Sequence, residues 1–231
     1  MSALPWQAVL FDLDGTLIET APEITDAVND TLTLLGLAPV EQTLVDAWIG
    51  HGTGELLVKA LAHRQNTSPE AVRLNPELAT IRSTFNGHYQ SRCGTSSQLY
   101  PGVRETLHAL REKGCRLAVV TNKEGHYTEI VLQAHGLLPL FDQVISGDSL
   151  PTKKPDPAGV LHCLQKFGVR PEQALFVGDS SIDAATARNA GLPVWLLPYG
   201  YNMGQPIEDC QPDRVISGLP ALLGPALPNT P

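Results

Sequence analysis

Positive charge is scarce in this sequence: 16 Lys and Arg stand against 24 Asp and Glu, a formal net charge of −8. Nucleic acids and anionic membrane surfaces require a protein that neutralises phosphates, so the balance argues against either as the main partner. Cysteine is also sparse. Cys93, Cys115, Cys163 and Cys210 form no C-x-x-C pair and have no histidine at zinc-ligand spacing, which points to reduced thiols rather than a disulfide framework or a zinc module. The opening stretch MSALPWQAVLFD lacks a basic region, and its apolar run breaks at Asp12. Neither a signal peptide nor a membrane span is expected there, and the expected location is the cytoplasm. No G-x-x-x-x-G-K-[ST] occurs, which excludes a P-loop nucleotidase.

What is present is ample apolar material, 42% of 231 residues, enough for a medium domain or a core with a smaller appendage. Only the proline-rich segment from Leu219 to Pro231 resembles a tail. Short runs at 8–11, 117–120, 143–146, 174–177 and 193–197, with a late edge at 214–216, are rich in Val, Ile, Leu and Phe and show little alternation. That pattern predicts strands covered on both faces. Between them GVRETLHALREKG places Val103, Leu107 and Leu110 on one helical face and stops at Gly114. YTEIVLQAHG repeats the pattern with Ile130, Val131 and Ala134 and stops at Gly136. Strand–helix–strand repetition from Tyr100 onward predicts a parallel α/β sheet with right-handed crossovers.

Between Gly15 and Tyr100 the pattern is helical, with no convincing strand. TAPE, residues 20–23, has the form of a capping box, followed at helical spacing by Ile24, Ala27, Val28, Leu32 and Leu35. The glycine-rich turn at 50–54 joins two further helices, and SPEAVRL opens another. The resulting organisation is an α/β core over residues 1–18 and 99–231, interrupted by a helical cap over 19–98. Both crossings adjoin Asp12 and Asp14, so the insert is placed to open and close over whatever they bind.

Four polar marks fall at strand carboxyl ends, the edge where open parallel sheets bind ligands. They are Asp12 and Asp14, Thr121 and Asn122, Lys154 (beside Lys153), and Asp179 with Asp183. Taken singly, a lysine pair suits solvent, a threonine suits a turn, and GDSSID suits a helix cap; their coincidence at one edge is what carries information. Asp12, Asp14 and Asp179 offer hard oxygen ligands suited to Mg²⁺. Lys154 and the Thr121 hydroxyl suit phosphate oxygens. One carboxylate can attack phosphorus. The other, kept protonated by its negative neighbour, can donate a proton to the leaving oxygen and later take one from water. An EF-hand loop beginning at Asp12 fails, because Leu17 stands where glycine is required.

The ordered set Asp12-Leu-Asp14-Gly-Thr16, Thr121, Lys154 before Pro155, and Gly178-Asp179 with Asp183 resembles the haloacid dehalogenase-like superfamily of hydrolases. The resemblance runs from Val9 to about Gly191. It implies a Rossmann-like parallel-sheet core with an inserted cap, Asp12 as nucleophile and Asp14 as acid/base. It also implies Mg²⁺ held by the Asp12 side chain, the Asp14 backbone carbonyl and Asp179, with Asp183 in support. Thr121 and Lys154 would hold the phosphate, the Lys-Pro step favouring Lys154 over Lys153. Family dehalogenases lack the second carboxylate, so the presence of Asp14 favours phosphate chemistry.

The insert is similar to the helical cap of phosphoglycolate phosphatases, in ETAPEITDAVNDTLTLLGL and in AWIGHGTGELL. Glu19-Thr20 stands where that group commonly has Asp-Ser. The resemblance implies a small phosphorylated metabolite as substrate, and His51 with the backbone of 50–54 is the candidate wall for its carboxylate. Pyrophosphatases, sugar-phosphate phosphatases and a phosphoglucomutase-like mutase share the architecture and remain alternatives. A phospho-accepting signalling domain also uses an Asp cluster, a Thr and a Lys, but carries its Asp after the third strand and lacks a cap. A monomer or homodimer is expected.

Overall fold

A computed structural model describes residues 4–224. In chain order it contains β1 (Ala8–Phe11), β2 (Ile18–Glu19), α1 (Ala21–Leu34), α2 (Gln42–Asp46), α3 (Thr53–Gln65), α4 (Pro69–Arg73), α5 (Leu78–Arg92) and β3 (Gln98–Leu99). There follow α6 (Val103–Glu112), β4 (Arg116–Val120), α7 (Gly125–Ala134), β5 (Gln143–Ile145), α8 (Ala158–Phe167), β6 (Ala174–Gly178), α9 (Ser181–Ala190), β7 (Val194–Leu196) and β8 (Arg214–Val215). Six strands form one sheet in the order β5-β4-β1-β6-β7-β8, and every pairing in it is parallel.

The weak alternation in the strand sequences follows from this geometry. In β1, Val9 and Phe11 pack with Leu117, Val119, Leu175 and Val177 on one face. Ala8 and Leu10 pack with Ala118, Val120 and Phe176 on the other. Both faces are dry, so both sets of positions must be apolar. The chain leaves β1, builds outward through β4 and β5, then returns to β6 on the opposite side of β1. That reversal opens a crevice at the carboxyl ends of β1 and β6, where Asp12 and Asp179 stand.

Helices α1–α5 lie between β2 and β3, and α1 packs against α5. The sequence pattern contains no sign of β2 and β3, which pair antiparallel as Ile18 with Leu99 and Glu19 with Gln98. Two residues are too few to show a period. Leu35 and Ala134, expected on buried faces, are exposed; Leu132 takes the buried place beside Val131. Leu219–Leu223 is a 3-10 turn with Leu219 and Leu222 buried against α6, not a tail. Residues 225–231 of that segment, and 1–3 of the opening stretch, lie outside the described residues. No helix among the described residues is long and apolar enough to cross a membrane. The four cysteines are free and buried.

TAPE is not a capping box. Thr20 occupies the N-cap of α1, but its side chain caps nothing there; its hydroxyl donates to Asp14 Oδ1 at 2.8 Å. The Glu23 carboxylate is fully buried and turns away from the helix end, with Oε2 accepting from the Gly94 and Ser97 amides at 2.9 and 3.2 Å. Those amides belong to the chain returning from α5, so Glu23 fastens the second crossing to the first helix. Burial pushes its carboxyl above the ordinary range, and the Lys123 ammonium opposes that shift. Glu23→Ala strands two amides and is expected to cost about 2 kcal/mol, read as a lower urea midpoint, whereas Glu23→Gln keeps an acceptor and should stay within about 1 kcal/mol of wild type.

Candidate active site

The β1 strand ends because Asp12 enters a turn closed by Gly15. Gly15 holds φ +83, and a β-carbon there would collide with the Asp179 carboxylate and the Tyr201 ring. Only glycine lets the first motif lie this close to the last.

Each of the paired carboxylates has one oxygen tied down. Asp12 Oδ1 accepts from the Leu13 amide at 2.7 Å and from Lys154 Nζ at 2.8 Å. Asp14 Oδ1 accepts from Thr20 Oγ1 at 2.8 Å and Lys123 Nζ at 2.9 Å. Neither Oδ2 has a hydrogen-bond partner among the described residues. Anchoring one oxygen fixes the direction of the other, which is how a rigid site aims a reacting atom.

Behind them lies a knot of charge. Lys154 is buried, and besides Asp12 it donates to Asp183 Oδ1 at 2.7 Å. Burial alone would lower its pKa, but the two carboxylates outweigh it and hold the ammonium above its ordinary value. Asp183 Oδ2 accepts from the Asp179 and Ser180 amides, both at 3.1 Å, and from Ser180 Oγ at 2.7 Å. Both its oxygens are therefore committed within the protein. Asp179 accepts from Thr16 Oγ1 and from the Tyr201 amide, each at 2.5 Å.

Carboxylate oxygens of Asp12, Asp179 and Asp183 lie within 4.8 Å of one another. Burial pushes Asp179 well above the ordinary carboxylate range, and Asp183 and Asp12 push it further. Burial likewise raises Asp12 to about 6 against the opposing pull of Lys154. A dry cluster of three carboxylates with one ammonium has an unmet demand for positive charge, and hard oxygen donors meet it best with a divalent cation. The residues present fit such an ion. The Asp14 side chain stands outside this cluster, paired to Lys123.

Above the carboxylates is a partly open chamber of about 30 Å³, with Asp12, Asp14, Thr121, Asn122 and Lys123 below and Ile49, Gly50, Gly52, Thr53 and Leu56 above. The roof is bonded down at three points. Asn122 Nδ2 donates to the Gly50 carbonyl at 2.8 Å, Thr53 Oγ1 to Glu124 Oε1 at 2.9 Å, and Lys153 Nζ to the His51 carbonyl at 2.7 Å.

Of the residues expected from sequence, Asp12, Asp14, Thr121 and Asn122 line the chamber. Asp179 and Asp183 adjoin Asp12, and Lys154 sits between Asp12 and Asp183 rather than on the chamber wall. His51 does not line the chamber. It meets the core through its backbone carbonyl, and burial, with Lys59 and Lys153 nearby, pushes its ring pKa down. A neutral ring is a poor carboxylate partner. The lysine that adjoins the chamber is Lys123, which sequence reasoning passed over although it directly follows Thr121 and Asn122 at a strand end. Its Nζ lies 2.9 Å from Asp14 Oδ1. Tyr89 and Tyr201 were likewise not foreseen, nor were the bonds from Thr16 to Asp179 and from Thr20 to Asp14.

These observations can be set beside known proteins. Residues 9–197 match the family model of the haloacid dehalogenase-like hydrolases. The phosphoglycolate phosphatase of Nitrosospira multiformis is 41% identical over 216 residues, covering 94% of this chain and 93% of that protein. The phosphoglycolate phosphatase of Haemophilus influenzae strain 86-028NP is 41% identical over 92% of this chain and 95% of its own. Among solved structures, one described as a predicted phosphoglycolate phosphatase from Haemophilus somnus superposes with a TM-score of 0.88 at 35% identity, covering 96% of this chain and 98% of that one. CbbY from Rhodobacter sphaeroides, solved with phosphate bound, superposes with a TM-score of 0.78 at 27% identity, covering 96% and 98% of the two chains. The chain belongs to the haloacid dehalogenase-like hydrolase family.

Proposed function

We propose that this protein, a phosphoric monoester hydrolase, converts 2-phosphoglycolate to glycolate and phosphate through an aspartyl-phosphate on Asp12. The observation that carries this reading is the pair of carboxylates facing one small chamber, each with one oxygen anchored and the other unbonded. Asp12 Oδ2 forms a bond to phosphorus as the bond from phosphorus to the glycolate oxygen breaks. Asp14 gives its proton to that departing oxygen, then takes one from the water that attacks the aspartyl-phosphate and frees Asp12. Thr121 and the Asn122 backbone lie where phosphate oxygens would rest, and Lys154 holds Asp12 in aim while offsetting negative charge. Asp12, Asp179 and the Asp14 carbonyl would hold Mg²⁺, with Asp183 orienting Asp179 and Lys154. Bound there, the ion would supply charge neutralisation for the phosphoryl group.

A substrate with a carboxylate beside its phosphate requires a second positive or N–H-rich feature. The first turn of α3 at Gly52 and Thr53, which has no side-chain cap, supplies it within the chamber. Phosphate release measured across phosphorylated acids, hexose phosphates and pyrophosphate tests the assignment. The highest kcat/KM is expected for 2-phosphoglycolate. A preference for a hexose phosphate or pyrophosphate would overturn the substrate, and interconversion of hexose 1- and 6-phosphates without free phosphate would overturn hydrolysis itself.

A further inference from the structure

Lys123 belongs to the core, in the loop after β4, yet its ammonium ends between a core carboxylate and a residue of the inserted helices. Nζ lies 2.9 Å from Asp14 Oδ1 and 2.5 Å from the Tyr89 hydroxyl. The side chain has no exposed surface. Tyr89, on α5, is also completely buried, its ring 5.1 Å from the ammonium and 4.5 Å, centroid to centroid, from the ring of Tyr127. The other ligand of Asp14 Oδ1 is Thr20, at the head of α1. Both side-chain anchors of the carboxylate therefore depend on the inserted helices: one is supplied by α1 outright, and the other is held in place by α5.

We infer that Lys123 is a positioning residue that, steadied by the Tyr89 hydroxyl, aims the free oxygen of Asp14 at the leaving group and so couples proton donation to the seating of the helical cap. The inference rests on the reading of Asp14 as the acid that protonates the leaving oxygen. A buried ammonium with only one carboxylate to hold would keep several rotamers. The phenol closes the second side, and with Thr20 it leaves Asp14 one orientation. Displacing α5 would remove Tyr89, loosen Lys123 and swing Asp14 out of aim, so an unseated cap would leave Asp12 in place without its proton donor.

Leaving-group dependence separates this role from a merely structural one. An alkyl phosphate such as 2-phosphoglycolate requires proton donation, whereas p-nitrophenyl phosphate departs as a stable phenolate and requires little. Lys123→Met is expected to lower kcat/KM for the alkyl phosphate by about 10²-fold and for the aryl phosphate less than about 10-fold. Lys123→Arg should recover part of the loss. Tyr89→Phe, which removes one hydroxyl and preserves packing, should show the same selective loss at about 3–10-fold, a size fitting one hydrogen bond; it serves if Lys123→Met fails to fold. Equal losses on both substrates in Lys123→Met and Tyr89→Phe would overturn the inference. So would a rise in KM for 2-phosphoglycolate at unchanged kcat, which would make Lys123 a substrate ligand instead. Asp14→Asn is the control: a selective loss there with none in the Lys123 and Tyr89 variants refutes only the positioning role. No selectivity in Asp14→Asn refutes the acid role on which it rests.

Discussion

Asp12→Asn is expected to fold normally and lose at least about 10⁴-fold in turnover, on the scale of nucleophile deletions in enzymes whose groups act as a unit. The replacement is isosteric. The remaining amide oxygen can still accept from the Leu13 amide and Lys154, as Asp12 Oδ1 does now. What disappears is the unbonded oxygen facing the chamber, replaced by an NH₂ with no nucleophilic lone pair. Stability should change little or rise without metal, because burial already pushes Asp12 to about 6 and makes its ionised form costly. Thermal unfolding and steady-state phosphate release on the same preparation separate the two effects. Retention of turnover within about tenfold of wild type would mean that another group attacks phosphorus.

Lys154→Met is expected to harm folding and catalysis together. Lys154 is the ammonium bonded to both Asp12 and Asp183, at 2.8 and 2.7 Å. Removing one partner of a buried ion pair costs about 3–5 kcal/mol, because the charge left behind has neither water nor a counterion. The sign of the pH dependence follows. The stranded carboxylates are costly only when ionised, and Asp12 titrates near 6 even with Lys154 present. Without Lys154 the Asp12 carboxyl titrates higher still, so the stability deficit should be greatest at neutral and alkaline pH, shrink as pH falls toward about 6, and level off below it. Mg²⁺ should raise the variant's melting temperature more than wild type's, since the ion supplies the missing charge. A deficit that is flat with pH and indifferent to Mg²⁺ would show that Lys154 acts through packing, for instance against the Phe176 ring 5.7 Å away, rather than through charge.

The sheet was legible because its central strands are dry on both faces, so β1, β4 and β6 appear as uninterrupted apolar runs ending in polar marks. The reacting carboxylates were legible for the same reason: Asp12 and Asp179 interrupt those runs where a crevice must form. What escaped was whatever depends on contacts between distant segments. Thr20 and Glu23 have the spacing of a capping box, and nothing local reveals that one turns to Asp14 and the other to the returning linker. His51 looked like a ligand in a glycine turn, yet the backbone of that turn, not the ring, meets the core. Lys123 was passed over because a lysine after a strand usually meets solvent. Its burial is created by Tyr89, 34 positions earlier in the chain.

The central claim is that Asp12 carries the phosphoryl group during turnover. The most direct measurement is acid quench during steady-state turnover of 2-phosphoglycolate with Mg²⁺, followed by borohydride reduction and peptide mass spectrometry, which converts an aspartyl-phosphate to homoserine. The account predicts homoserine at position 12, dependent on substrate, absent from Asp12→Asn, and enriched in a variant that slows attack by water, such as Asp14→Asn with an aryl phosphate. Active enzyme that yields no homoserine, or yields it at a residue other than Asp12, would contradict it.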